Sequence, residues 1–480
     1  MSKKTVKENG RVYTPDYIVK NILELAVYKK NILQKHIIDN SCGDGAFLVE
    51  IVKLYCENYF KNFSDLDGLR NQLSKYIHGI EIDSIETKKC IDNLNAVASS
   101  FKIYDVEWDV ICADTLTIDK YNGSMDFVVG NPPYVRVHNL AESYKEVKKY
   151  KFCENGMTDL YIVFFEIGIR MLNDAGKMCL ITPSSCLRSK AGYGLRKYIL
   201  NKRTLTKIVD LGHFQPFNAT AYTMITLFEN EKKVNDIEYY TYSGAIKQPY
   251  FVEKIPYLEV FVNGCMYISK REYISELHKI EEHYRNAEKT IVVKNGFATL
   301  ADDVYIGNFE FNELVIDIFK ASTAKWKKCI FPYNRDGSPI DIEIMKKHKD
   351  LFSYLFKNKE ILEKRDIEDK EKWFLFGRTQ AIKDVFVNKI SINTTIKDIN
   401  SIKIEVVPAG KGVYSGLYIL TNYSFDEICK TIKSSEFIEY LKLLKNYKSG
   451  GYYSFSSIEL AKFLSYKLEE VKYEQLQLFA

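Results

Sequence analysis

Hydrophobic residues in the first half of the chain form short apolar runs that alternate with segments of helical periodicity. Such runs are typical of buried strands, and their alternation with helices predicts a parallel sheet. The sequence predicts strands at His36–Asp39, Tyr76–Asp83, Trp108–Cys112, Met125–Val129, Gly176–Pro183, Thr206–Leu211 and Tyr222–Phe228, and helices at Ala46–Tyr55 and Asp159–Leu172. We therefore expect an α/β domain.

One more helix is predicted ahead of the first strand. Thr14 has the residue type of an N-cap, Pro15 suits the first helical position, and Asp16 places an acid in the first turn. Apolar residues then recur at helical spacing from Ile18 to Ala26.

The alternation of strands and helices stops near residues 230–235, where Glu and Lys cluster. The sequence therefore predicts a boundary there, with one domain over 1–235 and another over 236–480. We expect Thr204–Phe228 to supply the last strands of the first domain. The second domain should be α+β, with β-rich stretches at 389–393, 402–407 and 413–421 and helices at 425–433 and 436–444.

Composition excludes several classes of protein. The chain has 480 residues with 68 Lys and Arg against 63 Asp and Glu, a charge excess too small to indicate nucleic acid by itself. The ten cysteines are scattered and form no Cys-x-x-Cys pair, so we expect neither disulfides nor a metal site. No signal peptide or membrane-length apolar stretch is apparent. A reducing cytoplasm therefore fits, with no membrane partner.

The segment Gly130-Asn131-Pro132-Pro133-Tyr134 directly follows a predicted strand. Proline cannot join a central strand, so the chain must leave the sheet there, at the edge where α/β proteins bind ligands. An amide oxygen and a proline carbonyl can accept two hydrogens from a planar amine, while the tyrosine ring can stack on the ring that bears it. The alternative is a plain proline turn.

A glycine turn follows the first strand, at Cys42-Gly43-Asp44-Gly45. Strand, glycine turn and helix are typical of a nucleotide-binding unit, but no Gly-x-Gly-x-x-Gly pattern or P-loop lysine is present. We therefore expect a ligand without phosphates. Glu81, at the end of the second strand, can accept hydrogen bonds from ribose hydroxyls. Asp114, after the third strand, can accept a hydrogen bond from an adenine amino group. Glu81 alone could equally be a solvated strand end.

Taken in order, these motifs resemble those of the amino DNA methyltransferases that modify N6 of adenine, in the arrangement of their gamma class. The matching motifs, which span about residues 10–230, are Tyr13-Thr14-Pro15, Asp39–Gly45, Glu81, Asp114, Asn131–Tyr134, Asp159-Leu160-Tyr161 and Phe217. Asn40 departs from the proline that is common in the family. The resemblance implies a Rossmann-like, S-adenosylmethionine-dependent methyltransferase sheet at 1–235 and a target-recognition domain at 236–480.

The resemblance also implies roles for single residues. S-adenosylmethionine would be the methyl donor, with no metal required. Its ribose is assigned to Glu81, its adenine to Asp114 and Ile82, and its methionine end to Thr14, Asp39, Cys42, Gly43 and Gly45. The target adenine would be flipped out of the duplex.

Catalysis is assigned to Asn131 and Pro132, which would accept the hydrogens of the amine, and to Tyr134. Pro133, Tyr134, Phe164 and Phe217 are assigned to binding the target base. The alternative for Phe164 and Phe217 is a place in the hydrophobic core.

The function expected is methylation of adenine N6 in a specific double-stranded DNA sequence, by a modification enzyme or orphan methylase in a bacterial or archaeal cytoplasm. A cognate restriction endonuclease would be a separate chain. The rivals are an RNA adenine methyltransferase, a protein-glutamine methyltransferase and a non-catalytic DNA-binding subunit. The segment Arg365–Lys370 only superficially resembles a nuclease motif.

Overall fold

The computed structural model describes residues 13–135, 144–154, 158–217, 221–365, 367 and 370–478. The chain divides into two compact units, one that ends at Ser275 and one that begins at Glu276. The helix α8, Arg271–Asn286, contains the point of division.

The first unit alternates helices and strands. Its helices are α1 (Asp16–Leu25), α2 (Ala46–Tyr59), α3 (Leu66–Tyr76), α4 (Ser84–Ser100), α5 (Tyr144–Val147), α6 (Leu160–Met171) and α7 (Tyr193–Lys202). Its strands are β1 (Ile37–Asp39), β2 (Ile77–Glu81), β3 (Asp109–Cys112), β4 (Met125–Gly130), β5 (Leu172–Pro183), β6 (Leu205–Asp210), β7 (Thr223–Glu229), β8 (Asp236–Ser243), β9 (Gln248–Pro256), β10 (Phe261–Val262) and β11 (Cys265–Met266).

Nine of these strands form one sheet in the order β3-β2-β1-β4-β5-β7-β6-β8-β9. The first five in that order are parallel, and β7 is antiparallel to both of its neighbours. The strand order reverses between β1 and β4, which is the switch point where α/β sheets open a crevice at their carboxyl edge. The α/β fold predicted from the sequence is confirmed.

Apolar side chains from α1, α2 and α4 pack with the parallel strands into one core. Ile18 and Ile22 of α1 and Ile51 of α2 are fully buried in it, as is Ile37 of β1. Because these helices are anchored by their apolar faces, the polar loops that connect them to the strands are held at the sheet edge.

Two expectations need correction. Thr14 is not the N-cap of α1: the helix begins at Asp16, and the carbonyl of Pro15 accepts from Ile18 N–H at 2.9 Å. The Thr14 hydroxyl instead accepts from Asn131. The strands of Thr204–Phe228 are also not the last of the sheet, because β8 and β9 continue it beyond residue 235.

The second unit is α+β. Its strands are β12 (Val292–Asn295), β13 (Val315–Lys320), β14 (Lys325–Ile330), β15 (Lys389–Ile392), β16 (Thr395–Ile396), β17 (Ile404–Val407), β18 (Gly412–Tyr414), β19 (Leu417–Leu420), β20 (Tyr447–Lys448) and β21 (Tyr452–Ser454). Its helices after α8 are α9 (Asp302–Tyr305), α10 (Ile342–Lys347), α11 (Lys349–Lys357), α12 (Lys359–Glu363), α13 (Phe425–Ile432), α14 (Ser435–Leu444) and α15 (Ser457–Leu478). The strands form three small sheets, β12-β19-β15-β17, β14-β13-β18 and β16-β21-β20.

Parts of two sequence interpretations lie outside the described residues. One is the basic segment 136–151, which the sequence predicts to be either a loop near the substrate or a solvated helix, and of which residues 136–143 are not described. The other is the nuclease-like segment, of which Asp366, Glu368 and Asp369 are not described. Among the described helices, none combines the length and apolarity needed to cross a membrane.

Candidate active site

A cavity of about 370 Å³ opens at the carboxyl ends of β1, β2 and β4. It lies at the switch point of the sheet. Its walls come from the segment before α1, the glycine turn, the end of β2, the turn after β3, the Asn-Pro-Pro-Tyr loop and the start of α6. The lining residues are Tyr13, Thr14, Asp39, Asn40, Ser41, Cys42, Gly43, Asp44, Ala46, Phe47, Ile80, Glu81, Ile82, Asp83, Glu86, Asp114, Thr115, Leu116, Asn131, Pro133, Val135, Leu160 and Phe164.

The glycine turn fixes the position of the Glu81 carboxylate. Gly43 has φ +54°, a conformation that favours glycine, and its N–H donates to Glu81 Oε2 at 2.9 Å. The N–H of Asp83 donates to Oε1, also at 2.9 Å. Each carboxylate oxygen keeps a second lone pair, so Glu81 is held rigidly and can still accept hydrogens from a ligand.

Gly45 shapes the turn without lining the cavity. It ends the turn at φ +90° as the N-cap of α2, and its N–H donates to Cys42 O at 2.8 Å. A Cβ at this position would lie 2.7 Å from Cys90 Sγ. Both the conformation and the lack of space therefore require glycine here.

Asp39 is an almost fully buried acid of the cavity, with 2% of its surface exposed. Burial raises the pKa of its carboxyl to about 7. The hydrogen bond that it accepts from Ser41 N–H, at 3.0 Å, lowers the pKa, whereas the charges of Glu81 and Asp44 raise it. A Cβ on Gly130 would lie 2.7 Å from Asp39 Oδ1. The backbone at the end of β4 can therefore approach Asp39 only because residue 130 is glycine.

Asp114 and Ile82 lie on the wall formed by the ends of β2 and β3. Asp114 Oδ1 accepts from Leu116 N–H at 3.0 Å, which fixes the acid at the start of a short 3-10 turn. Ile82 is 67% exposed, although it directly follows a buried strand. An exposed apolar side chain beside a fixed acceptor suits a flat heterocycle that carries an amino group.

The cavity is strongly acidic. Its six carboxylic side chains are Asp39, Asp44, Glu81, Asp83, Glu86 and Asp114, and no Lys or Arg is among the described residues that line it. Such a site repels phosphate and attracts cations. The expectation of a ligand without phosphates agrees with this lining.

The sequence analysis missed Asp44 and Glu86 as members of the cavity. Glu86 is only 2% exposed; it accepts from Lys89 Nζ at 2.8 Å and from the Tyr13 hydroxyl at 3.4 Å. The only signal in the sequence is an acid in the first turn of the helix that follows Glu81. Acids in that position are common and serve the helix alone.

The Asn-Pro-Pro-Tyr loop enters the cavity in part. Asn131 and Pro133 line it, whereas Pro132 is buried and is not among the lining residues. Asn131 Nδ2 donates to Thr14 Oγ1 at 3.1 Å. The amide of Asn131 therefore lies in the same cavity as Glu81 and Asp114.

The three predicted base-stacking aromatics lie in different surroundings. Phe164 of α6 lines the cavity. The Tyr134 hydroxyl donates to Ile181 O at 3.1 Å, and burial raises its pKa well above the usual value. Phe217 belongs to the core, with its ring 6.3 Å from that of Tyr134. The roles of these rings in base binding remain predictions.

Comparison with known proteins places this geometry in a family. Residues 21–217 match the model of the Eco57I restriction-modification methylase family. Type II methyltransferase M.BstVI of Geobacillus stearothermophilus is 24% identical over 424 residues, which cover 78% of this chain and 75% of that protein. Type II restriction enzyme and methyltransferase RM.Eco57I of Escherichia coli is also 24% identical; the match covers 89% of this chain but only 54% of that protein.

A solved structure shares the fold. The Type IIL restriction-modification enzyme MmeI, in complex with DNA, superposes with a TM-score of 0.67 at 14% identity, over 95% of this chain and 68% of that one. The sheet order, the cavity at its switch point and the family match agree with one another. Over residues 21–217, the chain is similar to the methylase domain of the Eco57I restriction-modification family.

Proposed function

We propose that the protein transfers a methyl group from S-adenosylmethionine to N6 of an adenine flipped out of a specific double-stranded DNA sequence. The observation that carries this proposal is that Asn131 shares one cavity with Glu81 and Asp114. An amine held by Asn131 would then lie beside a nucleoside held by Glu81 and Asp114.

The residues of the cavity fit S-adenosylmethionine. Its sulfonium and amino groups are cations, which suit six acids and no lining Lys or Arg. Glu81 would accept the ribose hydroxyls, while Asp114 and the exposed face of Ile82 would hold the adenine. Thr14, Asp39 and the turn from Cys42 to Gly45 would hold the methionine end. When bound, the cofactor supplies a methyl group on a positively charged sulfur.

The task of the protein is to activate a weak nucleophile. The exocyclic amine of adenine is conjugated with its ring, so its lone pair is poorly available. The Asn131 side-chain oxygen and the Pro132 carbonyl would accept its two hydrogens and localise that lone pair towards the methyl group. Rigid, prepositioned acceptors of this kind stabilise the developing charge without reorganising.

The adenine preference rests on the resemblance of the Asn131–Tyr134 segment and of the motif order to N6-adenine methyltransferases. Phe164 lines the cavity, and the ring of Tyr134, in the loop, lies 6.3 Å from that of Phe217; these three rings would bind the flipped base. Base–aromatic stacking contributes about 1–3 kcal/mol per base, which offsets part of the cost of flipping.

We further propose that target recognition resides in residues 236–480. Deleting everything from residue 236 would remove β8 and β9 from the first sheet. Point variants in the full chain are therefore the better test of recognition.

The proposed function is tested with the Asn131→Ala variant and tritiated S-adenosylmethionine on bacterial genomic DNA. The wild type should label duplex DNA, and mass spectrometry of the nucleosides should find N6-methyladenine. Asn131→Ala should lose at least a hundredfold in rate while it binds the cofactor within a few-fold of the wild type. Full activity of Asn131→Ala would refute the mechanism, and methylcytosine in the product would refute the adenine preference. Labelling of RNA or of protein glutamine in place of DNA would refute the substrate.

A further inference from the structure

Strand β14 of the second unit exposes four consecutive side chains, Lys325, Trp326, Lys327 and Lys328. The strand lies at the edge of the sheet β14-β13-β18. Residues 322–324, which connect β13 to β14, are exposed as well. The three lysines and the tryptophan, which we call the β14 edge, therefore form one accessible surface.

The backbone of β14 is paired along its outer edge in the second half of the strand. There, Gly307 N–H donates to Lys328 O at 3.2 Å, and Ile306 forms a bridge with Cys329. Cys329 and Ile330 are accordingly buried. The exposed lysines thus belong to a strand that is firmly anchored at its other end, and not to a loose loop.

The charges of the β14 edge have no ion-pair partner among the described residues. In the part of the chain that the structure describes, none of its three lysines forms an ion pair, and the nearby acid Asp317 contacts Lys411 at 3.0 Å. Exposed lysines on the helices are often neutralised by an acid one turn earlier, as in Lys346 with Glu343. Asp317 lies opposite Lys328 in the sheet but is paired with Lys411. Three adjacent cations that form no ion pair with a described acid indicate an anionic partner.

Trp326 adds an aromatic surface to these cations. It is 42% exposed, its ring packs against Phe319 with centroids 5.2 Å apart, and Lys411 Nζ lies 4.8 Å from its centroid. The indole is therefore held in place while one part of it faces solvent. A fixed ring between cations is suited to the sugar–phosphate surface of a nucleic acid, where apolar sugar alternates with charged phosphate.

We propose that the β14 edge binds the phosphate backbone of the double-stranded DNA substrate. This inference rests on the proposed function. A strand rises about 3.4 Å per residue and its side chains alternate between faces, so Lys325 and Lys327 lie on one face about 6.8 Å apart and can contact phosphates of one DNA strand. Lys328 lies on the opposite face with Trp326. Contacts of this kind set affinity and register but carry no sequence information.

The test is the triple variant K325A/K327A/K328A of the full chain, bound to a fluorescein-labelled 30-base-pair duplex at 50–200 mM KCl. The matched control is K430A/K433A/K448A, which removes three other exposed lysines of the second unit. At low salt, the β14 variant should bind at least tenfold more weakly than the control. Its slope of log affinity against log salt should fall by roughly 3, since each lost phosphate contact contributes about 0.9.

Three results would overturn the inference. The first is a β14 variant with the same affinity and salt slope as the control variant, and the second is an equal loss in both variants. The third is a loss that appears only with single-stranded RNA as the probe. An unchanged melting temperature and cofactor affinity verify that the variants are folded. If the wild type neither binds nor methylates duplex DNA, the proposed function fails instead, which separates the two outcomes.

Discussion

The side-chain amide of Asn131 donates a hydrogen bond to the Thr14 hydroxyl over 3.1 Å, which joins the loop after β4 to the segment before α1. An amide has one end that accepts and one end that donates, so its orientation decides what it offers a ligand. With Nδ2 directed to Thr14, the oxygen is the end of the amide that can accept a hydrogen bond from an amine. Thr14 can therefore act as a positioning residue for Asn131.

The Thr14→Val variant should lower kcat by about fivefold, because a hydrogen bond of roughly 1 kcal/mol no longer holds the amide in one orientation. Thr14→Ser keeps the hydroxyl and should remain close to the wild type. Single-turnover methylation together with cofactor titration separates the two roles considered for Thr14. A weaker cofactor affinity with unchanged kcat would show that Thr14 serves the methionine end instead.

Tyr134, in the loop after β4, is fixed by the bond from its hydroxyl to Ile181 O of the neighbouring strand β5. Tyr134→Phe should lower the free energy of unfolding by about 1 kcal/mol and retain most of the methylation rate, because the ring is kept. Tyr134→Ala should abolish methylation while cofactor binding persists. The matched control is Tyr161→Phe, whose hydroxyl lies 3.1 Å from Ser185 Oγ. Urea unfolding and rate measurements on all three variants test this, and full activity in Tyr134→Ala would remove Tyr134 from the site.

The sheet could be predicted from the sequence because each strand is an apolar run that ends at a turn residue. Met125–Val129 followed by Gly130 and two prolines is an example, and the strand observed there is Met125–Gly130. The strands β8 and β9 were not foreseen as part of the same sheet. Many residues of β8 are tyrosine or charged. Most residues of β9 are exposed or half-buried, because β9 is an edge strand of the sheet. Periodicity cannot assign such strands to a domain.

Hydrogen bonds between distant parts of the chain could not be predicted from the sequence. The sequence shows an acid at the end of β2 and a glycine turn after β1, but not that Gly43 N–H binds Glu81. Thr14 has every local feature of an N-cap, yet its hydroxyl is engaged by a residue 117 positions away. Local propensity was outweighed by a tertiary hydrogen bond, which a single sequence does not reveal.

Gly43 and Gly45 both have positive φ, but they differ in the space around them. No atom lies within 4 Å of a Cβ built on Gly43, whereas a Cβ on Gly45 lies 2.7 Å from Cys90 Sγ. Gly43→Ala should therefore cost about 1 kcal/mol of backbone strain, and Gly45→Ala a further 1–3 kcal/mol from overpacking. Thermal unfolding of both variants measures the difference.

The double variant G45A/C90A tests the origin of that difference. Removing the Cys90 sulfur should recover part of the loss seen in Gly45→Ala, because the closest contact disappears, whereas Cys90→Ala in the G43A background should recover nothing. If both alanine variants are equally destabilised, the crowding at Gly45 is not the cause.

The carboxyl of Asp39 should make cofactor binding depend on pH. Its pKa is raised to about 7 by burial, so in the free protein it is largely protonated at pH 6 and ionised at pH 8. A cationic ligand favours the ionised form, and its affinity should therefore rise with pH and level off above 7. Roughly tenfold tighter binding of S-adenosylmethionine is expected at pH 8 than at pH 6.

The same shift affects folding with the opposite sense. Because the pKa of Asp39 is higher in the folded protein than its ordinary value of 3.8, the folded state holds the proton more tightly, and the free energy of unfolding should fall as pH rises from about 4 to 7.

Calorimetric titration of S-adenosylmethionine at pH 6, 7 and 8 tests the predicted pH dependence of binding, with Asp39→Asn as the control that should flatten the profile. Wild-type affinity that does not change with pH would exclude Asp39 from the binding of the cation. S-adenosylhomocysteine lacks the sulfonium charge; a pH dependence shared by both ligands would place Asp39 at the amino group, and one confined to S-adenosylmethionine would place it at the sulfur.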